Sequence, residues 1–289
     1  MINSVTSVVS PPLQSPYNFL HFLFDILSRI SYNSRHPMGT EHMYGWWLPI
    51  RASTYAASLD RQFNIFHAAM LLIFVCWGSY FAYCLVRYRA KPGVPAEYSH
   101  KGILASLVPD GIILAFELFM IFVIGLPVWA HVMEKFPEEK QANVVQVVAQ
   151  QFAWNIHYPG PDGVFGRRDI HLISSGNPIG LDESDPAAKD DFVSINQFHT
   201  TIGKPTLVYL TSMDVIHSFN VPAFRTKQDV TPGMRVRIWF EPTMLGRFDI
   251  ACAQLCGLGH YRMRGEVIVQ TQEEFDTWCK QQEARKSES

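Results

Sequence analysis

Five side chains that bind soft metal ions lie in the C-terminal half of the sequence. Two thiols, an imidazole and a thioether occur within the stretch 252–263, and a second imidazole precedes them: Cys252, Cys256, His260, Met263 and His217. Sulfur and imidazole ligands favour copper or zinc over hard cations. Zinc sites use Cys, His and carboxylates, whereas Cys, two His and a weak Met are typical of blue-copper sites. The residue types therefore predict copper.

The spacing of the two cysteines goes beyond a blue-copper site. Cys252 and Cys256 are four residues apart, so two thiolates that face each other across a tight loop can each bridge the same pair of metal ions. Each ion then needs one imidazole and one weak ligand. These would be His217 with Met263, and His260 with the backbone carbonyl of Gln254. A Cys252–Cys256 disulfide and a site for a single metal ion are the alternatives.

These motifs resemble a known family. The pattern Cys-x-x-x-Cys-x-x-x-His-x-x-Met, preceded by Asp-Val-Ile-His-Ser-Phe at 214–219, closely resembles cytochrome c oxidase subunit 2, the CuA subunit of haem–copper oxidases. The resemblance covers most of residues 46–278. It implies a cupredoxin fold with two copper ions (CuA). These accept electrons from cytochrome c or a similar donor and pass them to haem in a catalytic subunit 1, which reduces O₂ to water and pumps protons.

Other classes of protein share part of this pattern. A quinol oxidase subunit lacks the copper ligands, all of which are present in this sequence. A membrane-bound nitric oxide reductase can carry the same copper centre, so it stays as an alternative. A copper carrier or assembly protein is the other alternative, although such a protein should use an exposed, exchangeable site rather than a compact cage with two cysteines.

The sequence departs from the family pattern at two positions. The family places a Trp, the expected point where electrons arrive, at the position of Phe152, while Trp154 matches a second family Trp. We therefore expect Phe152 or Trp154 to receive electrons, with Tyr158 as a further option. The alternative is that Phe152 is simply a contact residue. Gln254 replaces a Glu whose carboxylate binds Mg²⁺ in the family. Because Mg²⁺ prefers carboxylate oxygens, this change disfavours a Mg²⁺ site but leaves the carbonyl role intact.

The composition indicates a membrane protein with a soluble part. The chain has 289 residues, 48% of them hydrophobic and only 17% charged, which leans towards membrane proteins. Lys and Arg number 24 against 26 Asp and Glu, so the chain lacks the basic excess that nucleic-acid binding requires. The five cysteines are too few and too scattered for a disulfide framework.

Two apolar segments predict a transmembrane hairpin over residues 62–133. The predicted spans are 66–86 and 107–132, each long enough for a hydrocarbon layer of ~30 Å. The connecting loop, 87–106, is rich in Lys and Arg, which places it in the cytoplasm. Asp110 and Glu117 lie within the second span and Glu97 in the loop. For Glu117 we favour packing in protonated form over a role in proton transfer.

The hairpin leaves both termini on the outer side of the membrane. Residues 1–61 form an outer segment whose stretch 18–30 fits either a signal peptide or an amphipathic helix at the membrane surface. Trp46 and Trp47 fit an aromatic belt. The expected location is the bacterial inner membrane, with contacts to lipid and the copper domain in the periplasm.

Residues 140–289 are expected to form an all-β, cupredoxin-like domain with a C-terminal tail. Short β-branched runs separated by turn residues predict an antiparallel sandwich. An acidic insertion at 160–191 is interpreted as a landing face for a basic donor, with an ordinary solvated loop as the alternative. The resemblance places Arg225, Lys227 and Arg235 at the interface with the catalytic subunit, with a solvated basic face as the alternative. After a short helix from Thr271, the charged end of the chain should fray.

Overall fold

The structure is a computed structural model that describes residues 48–95 and 102–288. The signal or amphipathic stretch at 18–30, Trp46, Trp47 and Glu97 lie outside the described residues. Helix α1 spans Ala56–Arg87. The next helical segment consists of α2 (Ile103–Phe119), a π-helical stretch (Met120–Gly125) and α3 (Leu126–Met133). By length and composition, Ala56–Arg87 and Leu107–Met133 could each cross a membrane.

Helix α1 begins at Ala56, well before the expected start of the first span at 66. The added turns belong to the soluble side of the molecule, because Ala56 and Asp60 are buried. Further along, side chains such as Phe74 and Val86 are 74% and 75% exposed. The apolar stretch of the sequence therefore marks the part of the helix that faces outward, and not the start of the helix.

The second helical segment widens before Pro127. The N–H of Leu126 reaches the carbonyl of Ile121, five residues back. Proline has no N–H and its ring displaces the carbonyl four residues earlier, so a wider turn accommodates it. Asp110 and Glu117 both stand on exposed faces of this segment. Contacts with the described residues therefore give no support to the interpretation of Glu117 as a packing residue.

In the part of the chain that the structure describes, ten strands form two five-stranded sheets. The first has the order β3-β2-β1-β5-β8 and the second β4-β10-β9-β6-β7. Their bounds are β1 Asn143–Gln150, β2 Ala153–Tyr158, β3 Phe192–Ile195, β4 Gln197–Thr201, β5 Thr206–Ser212, β6 His217–Val221, β7 Thr226–Val230, β8 Val236–Phe240, β9 Gly246–Cys252 and β10 Arg264–Gln270. The all-β sandwich is confirmed. The purely antiparallel prediction is wrong, because β1 pairs with β5, and β4 with β10, in parallel. Strand composition carries no information about which distant strands pair.

Large aromatic side chains fill the space between the two sheets. They come from both sheets and are fully buried: Trp154, Phe198, Phe219, Phe240 and Phe248. Side chains on one face of a strand recur every second residue, which sets Phe219 on the opposite face of β6 from Ser218 and Asn220. Burying a large apolar side chain contributes about 1.5–3 kcal/mol. This aromatic layer makes the sandwich a stiff support.

The insertion at 160–191 packs on the outer face of the first sheet. Ile179, Leu181 and Ala188 form a small core with Val148 of β1. Every aspartate of the insertion accepts a hydrogen bond within the chain: Asp162, Asp169, Asp182, Asp185, Asp190 and Asp191. Asp191 is completely buried against His157, with 2.6 Å between Oδ2 and Nε2. The acids therefore shape the loop, and of the six aspartates Asp191 alone is fully buried.

The C-terminal helix α4 spans Gln272–Glu288. The expected fraying of the charged end is therefore wrong for these residues. Trp278 stacks on His199 with 3.8 Å between ring centroids and also meets Phe192 edge-on. Lys286 donates from Nζ to the carbonyl of Ala188 at 2.8 Å. These contacts hold the helix against the sandwich, which the polar sequence of the tail does not reveal.

A clasp joins the start of α1 to the sandwich. The carboxylate of Asp60 accepts two hydrogen bonds from Arg225, at 2.7 and 2.9 Å, and both side chains are nearly buried, at 11% and 12% exposure. The backbone N–H of Ala52 donates a hydrogen bond to the carbonyl of Ala223 at 2.9 Å. The Trp239 indole donates to the carbonyl of Val132 at 2.9 Å. Both helical segments are thereby fixed to one end of the sandwich.

We predict that Asp60→Ala loosens this clasp. The substitution removes both hydrogen bonds of a nearly buried ion pair, at a cost of about 3 kcal/mol. Hydrogen exchange at the Ala52 amide should then accelerate by about a hundredfold. Asp229→Ala, which breaks the exposed pair with Lys227, is the control and should change exchange there little. Equal exchange in the two variants would contradict this account of the clasp.

Candidate metal centre

Strands β6 and β9 bring the distant imidazole beside the cysteine loop. They pair antiparallel, with Phe219 opposite Cys252. His217 begins β6 and Cys252 ends β9, so both lie at the same end of the second sheet. The backbone closes the loop that follows, because Ala253 donates to the carbonyl of Ser218 at 3.0 Å and Cys252 to that of Met263 at 3.2 Å. The sheet register therefore sets the spacing of the site.

The structure places the two thiols close together and the four other predicted donor groups around them. The Sγ atoms of Cys252 and Cys256 are 3.8 Å apart. The other donors each lie within 4.0 Å of one of these sulfurs. Nδ1 of His217 and the carbonyl of Gln254 are 4.0 and 3.2 Å from Cys252 Sγ, and Nδ1 of His260 and Sδ of Met263 are 3.6 and 3.8 Å from Cys256 Sγ. Each thiol thus has one imidazole and one weak donor beside it.

The two cysteines are free thiols in this structure. A disulfide bond is about 2.05 Å long, far shorter than their separation of 3.8 Å. Burial, helped by the neighbouring Cys252, raises the pKa of the Cys256 thiol to about 11. The metal-free thiol is therefore protonated at neutral pH. A metal ion that binds there releases the proton, since the thiolate is the ligand.

Asp214 orients the His217 ring. Its Oδ1 accepts from His217 Nε2 at 2.8 Å, which leaves Nδ1 facing the thiols. Burial opposes ionisation of Asp214, but hydrogen bonds from His217, Gln151 and Val215 outweigh it and lower the pKa of the carboxyl. A carboxylate behind a ligating His is a common support in metal sites. Sequence reasoning missed this role, although the Asp-x-x-His spacing could have revealed it.

Phe152 lies against the loop that carries the cysteines. A Cβ atom on Gly259 would overlap the Phe152 ring, and one on Gly257 would lie 3.2 Å from it. Gln151 next to it donates from Nε2 to the Cys256 carbonyl at 2.6 Å. Phe152 is half-buried, so its ring connects the loop to the surface. The two glycines allow this contact, and sequence reasoning did not foresee it.

The other two expected electron-receiving residues lie away from the surface. Trp154 is 0% exposed and meets His217 edge-on, with 6.1 Å between ring centroids. Tyr158 is 4% exposed and donates to the carbonyl of His199. Neither offers a surface contact to a donor. Of the three aromatic residues, Phe152 alone is accessible.

The loop itself carries three exposed apolar or aromatic side chains. Leu258 is 98% exposed, Tyr261 86% and Leu255 76%. Contiguous exposed apolar surface marks interaction sites more often than chance. The Gln254 side chain is exposed as well, while its backbone carbonyl faces Cys252.

The three basic residues expected at a partner interface lie in different settings. Arg225 binds Asp60 in the clasp, and Lys227 pairs with Asp229 at 2.9 Å. The Arg235 guanidinium lies 3.8 Å from the centroid of the Tyr209 ring. They do not form one basic face.

The chemistry of the donors fits copper. Two thiols, two imidazoles and a thioether are soft or intermediate ligands, and the thioether has no place in the usual zinc sets. The ligating atoms of His217, Cys252 and Cys256 all lie within 4.8 Å of one another, close enough to share metal ions. The fold and these donors define a copper-binding, cupredoxin-like domain joined to a pair of apolar helices.

Comparison with known proteins identifies the family. The family model for the cytochrome C oxidase subunit II periplasmic domain matches residues 144–271. The alternative cytochrome c oxidase subunit 2 of Bradyrhizobium diazoefficiens is 36% identical over 252 residues, 82% of this chain and 84% of that protein. The cytochrome c oxidase subunit 2 of Cereibacter sphaeroides is 30% identical over 215 residues, 69% of this chain and 67% of that protein. The chain belongs to the cytochrome c oxidase subunit 2 family.

The chain is also similar to a solved structure. The periplasmic domain of subunit II of cytochrome oxidase (CoxB) of Bradyrhizobium japonicum aligns with 52% of this chain and 99% of that chain, at 25% sequence identity and a TM-score of 0.39.

We predict that Gly259→Ala disturbs the site through Phe152. The added methyl group would overlap the ring, so the loop or the ring must shift, and copper should be lost faster to a chelator. The double variant Gly259→Ala/Phe152→Ala should restore most of the retention, because it removes the clash. A double variant that loses copper as fast as Gly259→Ala would show that the defect has another origin.

Proposed function

We propose that this chain is the electron-accepting subunit of a terminal respiratory oxidase. Two copper ions at the thiol pair would take electrons from cytochrome c or a similar donor. The electrons would pass to haem in a catalytic subunit 1, where O₂ is reduced to water with proton pumping. The observation that carries the proposal is the pair of thiols 3.8 Å apart, with an imidazole and a weak donor beside each.

Each donor residue of this chain would have a defined role at the copper ions. Cys252 and Cys256 would bridge the ions, with His217 and Met263 on one side and His260 and the Gln254 carbonyl on the other. Copper supplies one-electron chemistry when bound. The fold holds the donors still, because His217 is fixed by Asp214 and sits on a sheet strand. Met263 and Cys256 are only 2% and 4% exposed, so water is kept from both. A rigid, dry cage needs little rearrangement when its charge changes.

Phe152 is the proposed contact for the donor. Its ring touches the loop between Cys256 and His260, and part of it faces solvent. A donor haem edge that packs on this ring would lie one side chain from the copper loop. The exposed Leu258 nearby extends the apolar surface. We do not extend the proposal to Mg²⁺, since Gln254 offers a neutral amide where that ion favours a carboxylate.

The proposed location is the bacterial inner membrane with the copper domain in the periplasm. Arg87, Arg89 and Lys91 follow α1 directly and favour the cytoplasmic side. The sandwich follows the second helical segment and is joined to the opposite end of the hairpin by the clasp. Of the alternatives, a copper carrier fits poorly, because exchange of metal between proteins needs accessible ligands.

The proposal is tested with Cys256→Ser in the purified oxidase complex. A serine oxygen cannot replace the bridging thiolate, so O₂ consumption with reduced cytochrome c should fall by at least about a hundredfold, and copper per chain should drop. Cys279→Ser on α4 is the matched control and should keep both. Wild-type activity in Cys256→Ser would refute the proposal, and a complex that reduces nitric oxide but not O₂ would favour the nitric oxide reductase alternative.

A second prediction concerns Phe152. Phe152→Ala should slow reduction of the copper by cytochrome c, by roughly tenfold if the ring supplies about 1.4 kcal/mol of productive docking, while copper content stays unchanged. Rapid-mixing absorbance would follow the copper reduction. Tyr158→Ala would report on a buried aromatic residue that a donor cannot touch. Unchanged reduction kinetics in Phe152→Ala would remove this residue from the electron path.

A further inference from the structure

Three arginines lie together on the outer face of the first sheet. Arg237 belongs to β8 and Arg235 directly precedes that strand, so the two are about 7 Å apart along it. Both are exposed, and Arg237 faces outward because its neighbours Ile238 and Phe240 are buried. Arg168 of the insertion lies close enough to Arg235 for their charges to interact. These three residues are called the arginine strip.

Aromatic rings support two of the three arginines. The Arg235 guanidinium lies 3.8 Å from the centroid of the Tyr209 ring, and that of Arg237 lies 4.2 Å from the centroid of the Phe136 ring. Tyr209 stands opposite Arg237 in the pairing of β5 with β8, and its hydroxyl donates to the Glu139 carboxylate. Stacking on a ring face holds the planar guanidinium in place while its N–H groups stay free to bind an anion.

The arginine strip carries positive charge that its surroundings do not balance. Among the residues that the structure describes, none of the three arginines forms an ion pair. The Glu139 carboxylate binds the tyrosine hydroxyl, and Asp182 of the insertion binds Arg167. Partial burial and the charge of Arg235 lower the pKa of Arg168, so the two cations repel each other. An anion between them would relieve this repulsion.

The composition and position of the strip favour a protein partner over a lipid headgroup. Arg, Tyr and Phe are enriched at the centres of protein interfaces. Trp239 of β8 is bonded to Val132 at the end of the second helical segment, and Arg237 and Arg235 follow at increasing distance from it along the strand. Arg168 continues the strip onto the insertion. Lipid headgroups beside the helices would meet Arg237 before the rest, whereas a protein segment can cover all three.

We propose that the arginine strip binds an acidic segment of another protein. Guanidinium groups bind carboxylates through two parallel hydrogen bonds. In an extended segment, every second side chain lies on the same face, about 7 Å apart, which matches the spacing of Arg235 and Arg237. Two such carboxylates bind these arginines, and a third lies between Arg235 and Arg168. The strip contains no copper donor, so this interface is separate from the metal centre.

The test measures binding of a fluorescent peptide of alternating Glu and Ser to the full-length chain in neutral detergent micelles, by fluorescence anisotropy. Arg235→Glu/Arg237→Glu should weaken binding by at least about tenfold, because attraction becomes repulsion. Arg247→Glu/Lys280→Glu changes the charge equally at exposed positions outside the strip and should change the Kd by less than about twofold. Arg235→Lys keeps the charge but loses the planar group, and should weaken binding by roughly threefold.

Each other outcome counts against the proposal. A peptide that does not bind, or binds equally to the wild type and Arg235→Glu/Arg237→Glu, would overturn it. Inorganic phosphate that displaces the peptide at equal concentration would show a simple anion site. Phosphatidylglycerol vesicles that bind the wild type more tightly than the peptide does, but not Arg235→Glu/Arg237→Glu, would show a membrane contact instead. Because the assay needs neither copper nor O₂ reduction, its failure would leave the electron-transfer proposal untouched.

Discussion

The pairing of β6 with β9 is the constraint on which the site depends. Phe219 stands opposite Cys252, and this register places His217 beside the first thiol although 34 residues separate them in sequence. A slip of one residue would turn His217 to the other face of the sheet and leave the cysteine loop with one imidazole. The buried Phe219 ring packs on Trp154, with 5.5 Å between ring centroids. A slip would break this contact and so destabilise the fold. Core packing thus fixes the geometry of the donors.

The same strand connects the site to the membrane anchor. β6 starts at His217 and ends at Val221, a rise of roughly 13 Å at about 3.3 Å per residue. The turn that follows carries Arg225, which binds Asp60 at the start of α1. One short strand therefore separates a donor of the metal site from the residue that binds the start of α1. The contacts of the clasp join the copper domain to both helical segments.

The sequence pointed to donor groups that the structure places close together, because soft-metal chemistry restricts the residue types. Cys252, Cys256, His260 and Met263 lie on one short loop, so local spacing carries the information. The two apolar helices were equally readable from composition. Composition did not reveal the parallel pairing of β1 with β5, the early start of α1 or the burial of Trp154. Each of these features depends on contacts between distant segments. Composition also does not show that the aspartates of the insertion accept hydrogen bonds within the chain, and the docking face for a basic donor stays a prediction.

The central claim is that two thiolates bridge two copper ions, and electron paramagnetic resonance on the copper-loaded full-length chain tests it most directly. With copper counted per chain, the account predicts two copper ions and one unpaired electron shared equally by both nuclei. A signal from a single copper nucleus with one ion per chain would contradict the bridged pair, and absence of bound copper with a Cys252–Cys256 disulfide would contradict the metal site itself.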